Sequence, residues 1–557
     1  MIEDHRASSS HSPEGRTGRR WSGDWALIAI LVLAGALRFH NIAATDIWVD
    51  EANSILTAKQ PWSVILDLLK RDSSPPLFYF LLKLWMALVG DGPTAVRLPS
   101  TLFSLLLVAA VYIVGKRECS RRVGLWAAFF VAISPTQVFY SQQARMYTLL
   151  PLLALAAWWL LVRYLRDGRP RDFWLSMLAT AAALYTHNFA VYVPLVHAVL
   201  VLGSGQLFRH FRMWVLAVVF LLLVYAPWVP TLLSQLANTD HYAWYLERWE
   251  REGLLGAASD TLRSYAPAGA MVMYARARPI EWYGVPAVFA TGFAIWGAIV
   301  LFRRRGEMAR LSALWLPAAC AVPIAASLGV SSILTPHYVP GRIDQMMFPC
   351  FALLAAVGLS ALKPEALQRV IVPVCLTVAI IGRASFYSDY RRGGVDGAGA
   401  DLAEAVLSEF RAGDVVLCTS LTRAPLEYYL QRAGANMPIL SYPRSTARHL
   451  GSQNHWKLWA DKPGLLKEAR VVLDQARALA DPGGRLILLR TSIKVNDFLE
   501  RGPLERRFGI HQEARLGLFK LNGTKEFIWL TVNRLDDAEP PAGPRKAPDP
   551  AKGAQGA

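Results

Sequence analysis

Asp50 and Glu51 stand side by side in "TDIWVDEANSI" (45–55), just beyond the first apolar run of the chain. Adjacent carboxylates can take a proton from an attacking hydroxyl, begin a helix, or simply face water. Desolvation at a membrane edge would raise a carboxylate toward the pKa range of a general base. Cations and donors that would answer such acids recur in other connecting segments. Arg97 lies in "GDGPTAVRLPS" (90–100), Arg145 and Tyr147 in "SQQARMYTLL" (141–150), and Tyr338 and Arg342 in "LTPHYVPGRIDQMMFP" (334–349). His187 and Asn188 come from "YTHNF" (185–189). Taken singly, these are snorkelling arginines and interfacial histidines. Taken together, charged groups at the edge of a membrane mark a functional site. Arg145 is expected to pair with Asp50 or Glu51, or to hold an anionic headgroup. Three arginines on one face suit a lipid that carries phosphate.

The elements that must position these residues are apolar. The 557-residue chain is 54% hydrophobic and only 18% charged, with 19 tryptophans and a mean hydropathy of +0.27. This composition describes many membrane-spanning helices with interfacial indoles. Spans are expected at 24–41, 95–115, 123–140, 147–165, 172–187, 189–207, 213–234, 283–302, 310–330, 343–361 and 368–386. Lys/Arg-rich loops at 115–122, 166–172, 209–212, 303–310 and 363–369 belong in the cytoplasm. A net charge of +17 is explained by these loops, so no nucleic-acid partner is inferred. Eleven spans then put the basic N-terminus inside and the site segments outside. The run 75–90 is kept as a helix in the outer interface, because a span there would invert every later basic loop. "ANSILTAKQPWSVILDLLK" is amphipathic at helical spacing and reads as interfacial.

Residues 1–23 read as a polar cytoplasmic segment preceding a retained anchor rather than a cleaved signal. Residues 24–386 form the membrane domain, 387–535 an extracytoplasmic α/β domain, and 536–557 a Pro/Ala/Gly-rich disordered tail. Within 387–535, "DLAEAVLSEF" and "RAPLEYYLQRAG" predict helices, and "DVVLCTS" and "GRLILLRTS" predict strands. "GLFKLNGTKEFIWLTV" predicts a hairpin with an Asn-Gly turn. Five dispersed cysteines predict no disulfide framework. No metal site is predicted, since two acids are too few ligands. A loosely held divalent ion remains compatible with the sequence.

These motifs, in this order, resemble the family 39 glycosyltransferases and their protein mannosyltransferase and aminoarabinose transferase relatives of the GT-C fold. The resemblance rests on "WVDEANS", "SPPLFYFLLKLW", "RLPS", "SQQARMY" and "THNF", and covers about residues 24–386. It implies a polytopic membrane enzyme that moves a sugar, mannosyltransferase-like, from a polyprenyl-phosphate carrier to a protein, lipid or glycan hydroxyl on the outer face. It also implies a bacterial inner-membrane location. Asp50 would be the base and Glu51 its neighbour; Arg97, Arg145, Tyr147, His187, Tyr338 and Arg342 would contact substrate. Direct, inverting displacement follows from the same resemblance. The sequence departs from the family at Gln143, where relatives carry an acid, and after Arg342, where Ile-Asp-Gln follows. A lipid-linked glycan transporter or flippase, and a non-catalytic membrane scaffold, are the competing readings. The absence of an internal repeat and the gathering of charge at one face speak against a transporter.

Overall fold

The computed structural model describes residues 24–381, 399–444, 462–491, 510–520 and 527–535, apart from 73, 238–242, 267–280, 305–306, 335, 366, 369, 372 and 420–421. The two expected terminal segments lie outside the described residues. The first membrane half comprises α1 (Trp25–Phe39), α2 (Val49–Lys59), α3 (Trp62–Arg71), α4 (Leu77–Val89), α5 (Pro93–Glu118), α6 (Arg121–Ile133), α7 (Pro135–Ser141) and α8 (Leu149–Asp167). The second comprises α9 (Pro170–Leu184), α10 (Tyr192–Gly203), α11 (Phe211–Tyr225), α12 (Val229–Ala237), α13 (Ala243–Tyr265), α14 (Glu281–Phe302), α15 (Glu307–Ile333) and α16 (Phe348–Ser360). Residues 373–381 are helical as well.

Every run expected to span is therefore helical where described, but the count of spans differs. Among the described residues, five helices are long and apolar enough to cross a bilayer, or six if the bent pair α6–α7 is one span. α1, α10 and α16 are shorter apolar helices.

Two expectations are corrected. The run 123–140 is not one straight span: it bends by 62° between α6 and α7. Pro135 has no N–H to continue the helix, and the Ser134 hydroxyl caps the new start by accepting from Gln137 N. The amphipathic run after the acids is two helices, α2 and α3, broken before Pro61. α4 is thirteen residues long, about 20 Å at the helical rise, too short for the hydrocarbon core. Lys83 anchors it by donating to Ala58 O (3.3 Å) and Gln60 O (2.8 Å) at the C-terminal end of α2.

The apolar core runs through α5, α6, α8 and α16, with Val111, Ala127, Trp158 and Leu353 among its fully enclosed side chains. Helices approach closely where side chains vanish. A Cβ on Gly358 would lie 2.0 Å from Phe293 O, and one on Gly297 1.9 Å from Leu354 O, so α14 and α16 meet backbone to backbone. The basic loops collect at one end of the bundle. There Arg121 meets Asp24 (2.5 Å), Arg122 meets Glu365 (2.7 Å) and Arg166 meets Glu118 (2.6 Å). α5 runs from this end to Arg97, so the acid pair sits at the opposite end.

The C-terminal region holds α17 (Gly399–Glu409), β1 (Val415–Thr419), α18 (Arg423–Arg432), β2 (Ile439–Tyr442), α19 (Lys462–Leu479), β3 (Arg485–Thr491), β4 (Ile510–Lys520) and β5 (Phe527–Leu535). The sheet order is β2-β1-β3-β5-β4. β1 pairs in parallel with β2 and β3, whereas β5 is antiparallel to both β3 and β4. β1 is buried on both faces, as its unbroken apolar run requires. The expected Asn-Gly turn lies outside the described residues.

Candidate active site

The N-terminal turns of α5 organise the site. Arg97 is 1% exposed, and its five guanidinium N–H groups are all engaged. Nε and Nη2 donate to the two carboxylate oxygens of Glu51 at 2.8 and 2.6 Å. The remaining donors reach Ile42 O (2.7 Å), Thr45 O (3.0 Å) and Asp46 O (3.0 Å). Glu51 is equally enclosed, at 1%, and also accepts from Ala144 N at 2.8 Å. One carboxylate thus ties the first connecting segment to the second. One turn further along α5, Ser100 donates to Arg145 O (2.9 Å) and Thr101 to Ser141 O (2.8 Å). The pattern "RLPST" is a ladder of donors spaced to hold two loops.

Asp50 differs in kind. Its carboxylate is 19% exposed and meets Arg342 Nη2 at 3.1 Å, with Arg342 20% exposed. Both sit in the first turn or loop of their elements, where water and ligand can reach them. Arg342 Nε donates to the Tyr147 hydroxyl, and its guanidinium lies 5.1 Å from the Tyr147 ring centroid. The turn carrying Arg342 is itself held: Tyr140 donates to Gly341 O at 2.8 Å.

Arg145 lies behind this pair, 4% exposed. It does not form the ion pair with Asp50 or Glu51 that its position suggested, because Arg342 and Arg97 take those carboxylates. Its Nη1 donates instead to Ser54 Oγ (3.0 Å), Tyr79 Oη (3.4 Å) and the backbone oxygen of Asp50 (3.5 Å). It also stands 5.8 Å from the Tyr147 centroid, so two guanidiniums share that ring. Tyr79 donates onward to Asp72 Oδ2 at 3.3 Å. Asp50, Arg145, Tyr147 and Arg342 are therefore brought together with Ser54 and Tyr79.

His187 is partly buried beside them, with its ring centroid 6.1 Å from that of Tyr147. The ring accepts from Phe189 N at 3.1 Å through Nδ1. Tyr338 is placed differently: it is 0% exposed and shares a 2.6 Å hydrogen bond with the Thr261 hydroxyl. His337, on the same loop, stacks on Phe189 with centroids 5.5 Å apart. Asn188 donates to Gln235 Oε1 at 2.9 Å. Among the described residues no group of three or more His, Cys, Asp or Glu is arranged to hold a metal ion.

Sequence reasoning passed over Arg38, Asp72 and Tyr79. Arg38 is 0% exposed and donates to Val131 O (3.1 Å), Ala132 O (2.9 Å) and Ser104 Oγ (2.8 Å), serving the carbonyls at the end of α6. An arginine near the end of an apolar run reads as a snorkelling anchor, although its intramembrane position was a signal. Asp72 and Tyr79 stand near the "SSPP" stretch and carry no pattern that separates them from neighbouring polar and aromatic residues.

The apolar helices describe a multi-pass membrane protein with a GT-C-like helical fold. Residues 73–230 match the model of the family described as dolichyl-phosphate-mannose-protein mannosyltransferase. The fold is similar to the apo crystal structure of ArnT from Cupriavidus metallidurans, with TM-score 0.57 at 13% identity over 91% of this chain and 97% of that one. It is similar to the same protein bound to undecaprenyl phosphate, with TM-score 0.55 at 12% identity over 93% and 100%. It also matches the oligosaccharyltransferase of Archaeoglobus fulgidus, with TM-score 0.50 at 12% identity over 83% and 68%. No curated protein sequence matches the chain. The family model thus meets the resemblance read from the motifs over residues 73–230, and these structures meet it in fold.

Proposed function

We propose that the protein is an integral-membrane glycosyltransferase, taking its sugar from a polyprenyl-phosphate-linked donor and giving it to an acceptor hydroxyl of a protein, lipid or glycan. The carrying observation is the division of labour in the acid pair. Glu51 is sealed into a buried network with Arg97 and Ala144, whereas Asp50 is partly exposed beside Arg342, Arg145 and Tyr147. Asp50 is the group free to exchange a proton with a substrate.

The acceptor oxygen attacks the anomeric carbon, and its proton passes to the Asp50 carboxylate. The bond from that carbon to the phosphate oxygen breaks on the opposite face, inverting the sugar, and polyprenyl phosphate departs. Arg342 and Arg145 offer N–H donors to the growing phosphate charge. His187 and the Tyr147 hydroxyl complete the polar wall, while Tyr338 is enclosed elsewhere, bonded to Thr261 and Ser331. Glu51 and Arg97 hold the loop. The undecaprenyl phosphate named with the ArnT structure supports this donor class. Basic loops at the far end support a cytoplasmic N-terminus, an extracytoplasmic C-terminal domain, and a site on the outer face of a bacterial inner membrane. Mannose or a related sugar is the cargo that the family model favours.

The test is transfer from a polyprenyl-phosphate sugar by purified protein in detergent. Asp50→Asn is expected to abolish turnover while donor binding and unfolding midpoint stay near wild type. Near-normal transfer by that variant would remove Asp50 as the base.

A further inference from the structure

α2 begins without help from its own cap. Its N-cap is Trp48, which makes no side-chain capping bond, so the direction of the turn carrying Asp50 depends on what holds the preceding segment. On the membrane side Arg97 grips the carbonyls of Ile42, Thr45 and Asp46. On the other side the grip comes from more than 380 residues away in sequence. The Tyr429 hydroxyl accepts from Ile47 N at 2.9 Å and donates to Asp46 Oδ1 at 3.2 Å. Asp46 Oδ2 accepts from Ala400 N, in the first turn of α17, at 3.1 Å.

The neighbouring Tyr428 is 0% exposed and belongs to the same apolar cluster as Ile47, Ile55, Phe139 and Tyr147. Its hydroxyl donates to Asp91 O at 2.9 Å. Asp91 further joins Lys59 of α2 (2.6 Å) to Arg432 of α18 (3.1 Å). The C-terminal domain therefore packs into the catalytic loop rather than resting beside it.

We propose that Tyr429, with its partners Asp46 and Ala400, is a positioning residue for the transfer reaction: the C-terminal domain clamps the connecting segment 42–47 and thereby aims the first turn of α2. This rests on the reading of Asp50 as the base. Asp50 follows Ile47 by three residues, so a swing of the segment is passed directly to its carboxylate. A misplacement of about 1 Å at a reacting group is worth on the order of 100-fold in rate.

The experiment uses full-length protein in detergent. Tyr429→Phe keeps the ring and removes only the hydroxyl. It is expected to lower kcat by about 10- to 100-fold, to leave donor KM within about twofold and the unfolding midpoint nearly unchanged, and to speed amide exchange at 47–52. Ala400→Pro deletes a single N–H at a position where proline is tolerated, and is expected to do the same to a smaller extent. Asp46→Asn, which keeps an acceptor for Ala400, is expected to lose less activity than Asp46→Leu. Wild-type kcat and wild-type exchange in both Tyr429→Phe and Ala400→Pro would overturn the proposal. A parallel fall in kcat and unfolding midpoint, with exchange raised across the whole domain, would also overturn it in favour of a general structural role. If Asp50→Asn retains transfer, the assignment of the base fails, and amide exchange at 47–52 still decides whether Tyr429 holds the segment.

Discussion

Replacing Glu51 by Gln separates a structural acid from a chemical one. Glu51 Oε1 accepts from Arg97 Nε and Ala144 N, and Oε2 accepts from Arg97 Nη2. The amide oxygen of Gln can keep the first two bonds. Its NH2 group would face Arg97 Nη2 donor to donor, and the Arg97 charge would remain enclosed with only carbonyl oxygens around it. Both side chains of the pair are 1% exposed, so solvent cannot compensate. Breaking a buried pair from one side costs about 3–5 kcal/mol, or roughly 150- to 5000-fold in the folding equilibrium. Reversible unfolding of the purified protein by a denaturing detergent reads this directly. Folded Glu51→Gln protein should still transfer sugar far faster than Asp50→Asn, since Asp50 and Arg342 are untouched. A loss below about 1 kcal/mol, the range of exposed pairs, would refute the sealed network. Abolished transfer at full stability would instead make Glu51 the base.

Gly358→Ala should weaken the membrane bundle without touching the site. The added methyl would stand 2.0 Å from Phe293 O, forcing α14 and α16 apart at a cost of about 1–3 kcal/mol or more. A wild-type midpoint in the same unfolding assay would contradict the backbone contact. In the C-terminal domain, Asp414 is 2% exposed in its pair with Arg485 (2.8 Å). Burial alone would raise its pKa, but hydrogen bonds from Arg485 and from the amides of Arg411 and Arg485 outweigh burial and lower it from 3.8. The folded-state pKa lies below the unfolded one, so the stabilisation is present above 3.8 and is lost as pH falls through the folded value. The stability advantage of wild type over Asp414→Asn should therefore be constant at neutral pH and disappear in strong acid; an advantage that persists there would sink the assignment.

Three features of the geometry explain why one fold can host this chemistry. The arginines are distributed by burial: Arg97 is enclosed with Glu51, Arg342 is partly exposed beside Asp50, and Arg145 is buried behind that pair. Aromatic rings stiffen the wall, with Tyr140 and Tyr147 centroids 4.7 Å apart. The bend at Ser134–Pro135 turns α7 so that Gln137 meets Gln345 at 2.8 Å and Thr136 meets Ser264 O at 3.2 Å. A straight helix would have carried those side chains elsewhere.

By itself the sequence determined the membrane class, the positions of the apolar helices and the short length of α4, because hydropathy and run length act locally. In the C-terminal region it determined α17, α18, β1, β3 and the β4–β5 pair through periodicity and apolar runs, but not β2 (Ile439–Tyr442) or α19 (Lys462–Leu479). The candidate acids and arginines were legible as charges placed at the ends of apolar runs. Their pairing was not. Which arginine takes which acid depends on how four connecting segments converge at the end of α5, a non-local outcome to which residue type is blind. Arg97 and Arg145 look equivalent in one dimension; only burial against Glu51 and the carbonyls of 42–46 makes the first structural. Gln142–Gln143 carries the same message, because the Ala144 amide rather than a side-chain acid binds Glu51 there. The clamp by Tyr429 could not be read from the chain at all, since nothing local to "LEYYLQR" signals a partner at Ile47. Tertiary structure alone decided that α17 and α18 contact Asp46 and Ile47, in the segment that leads into the acid pair.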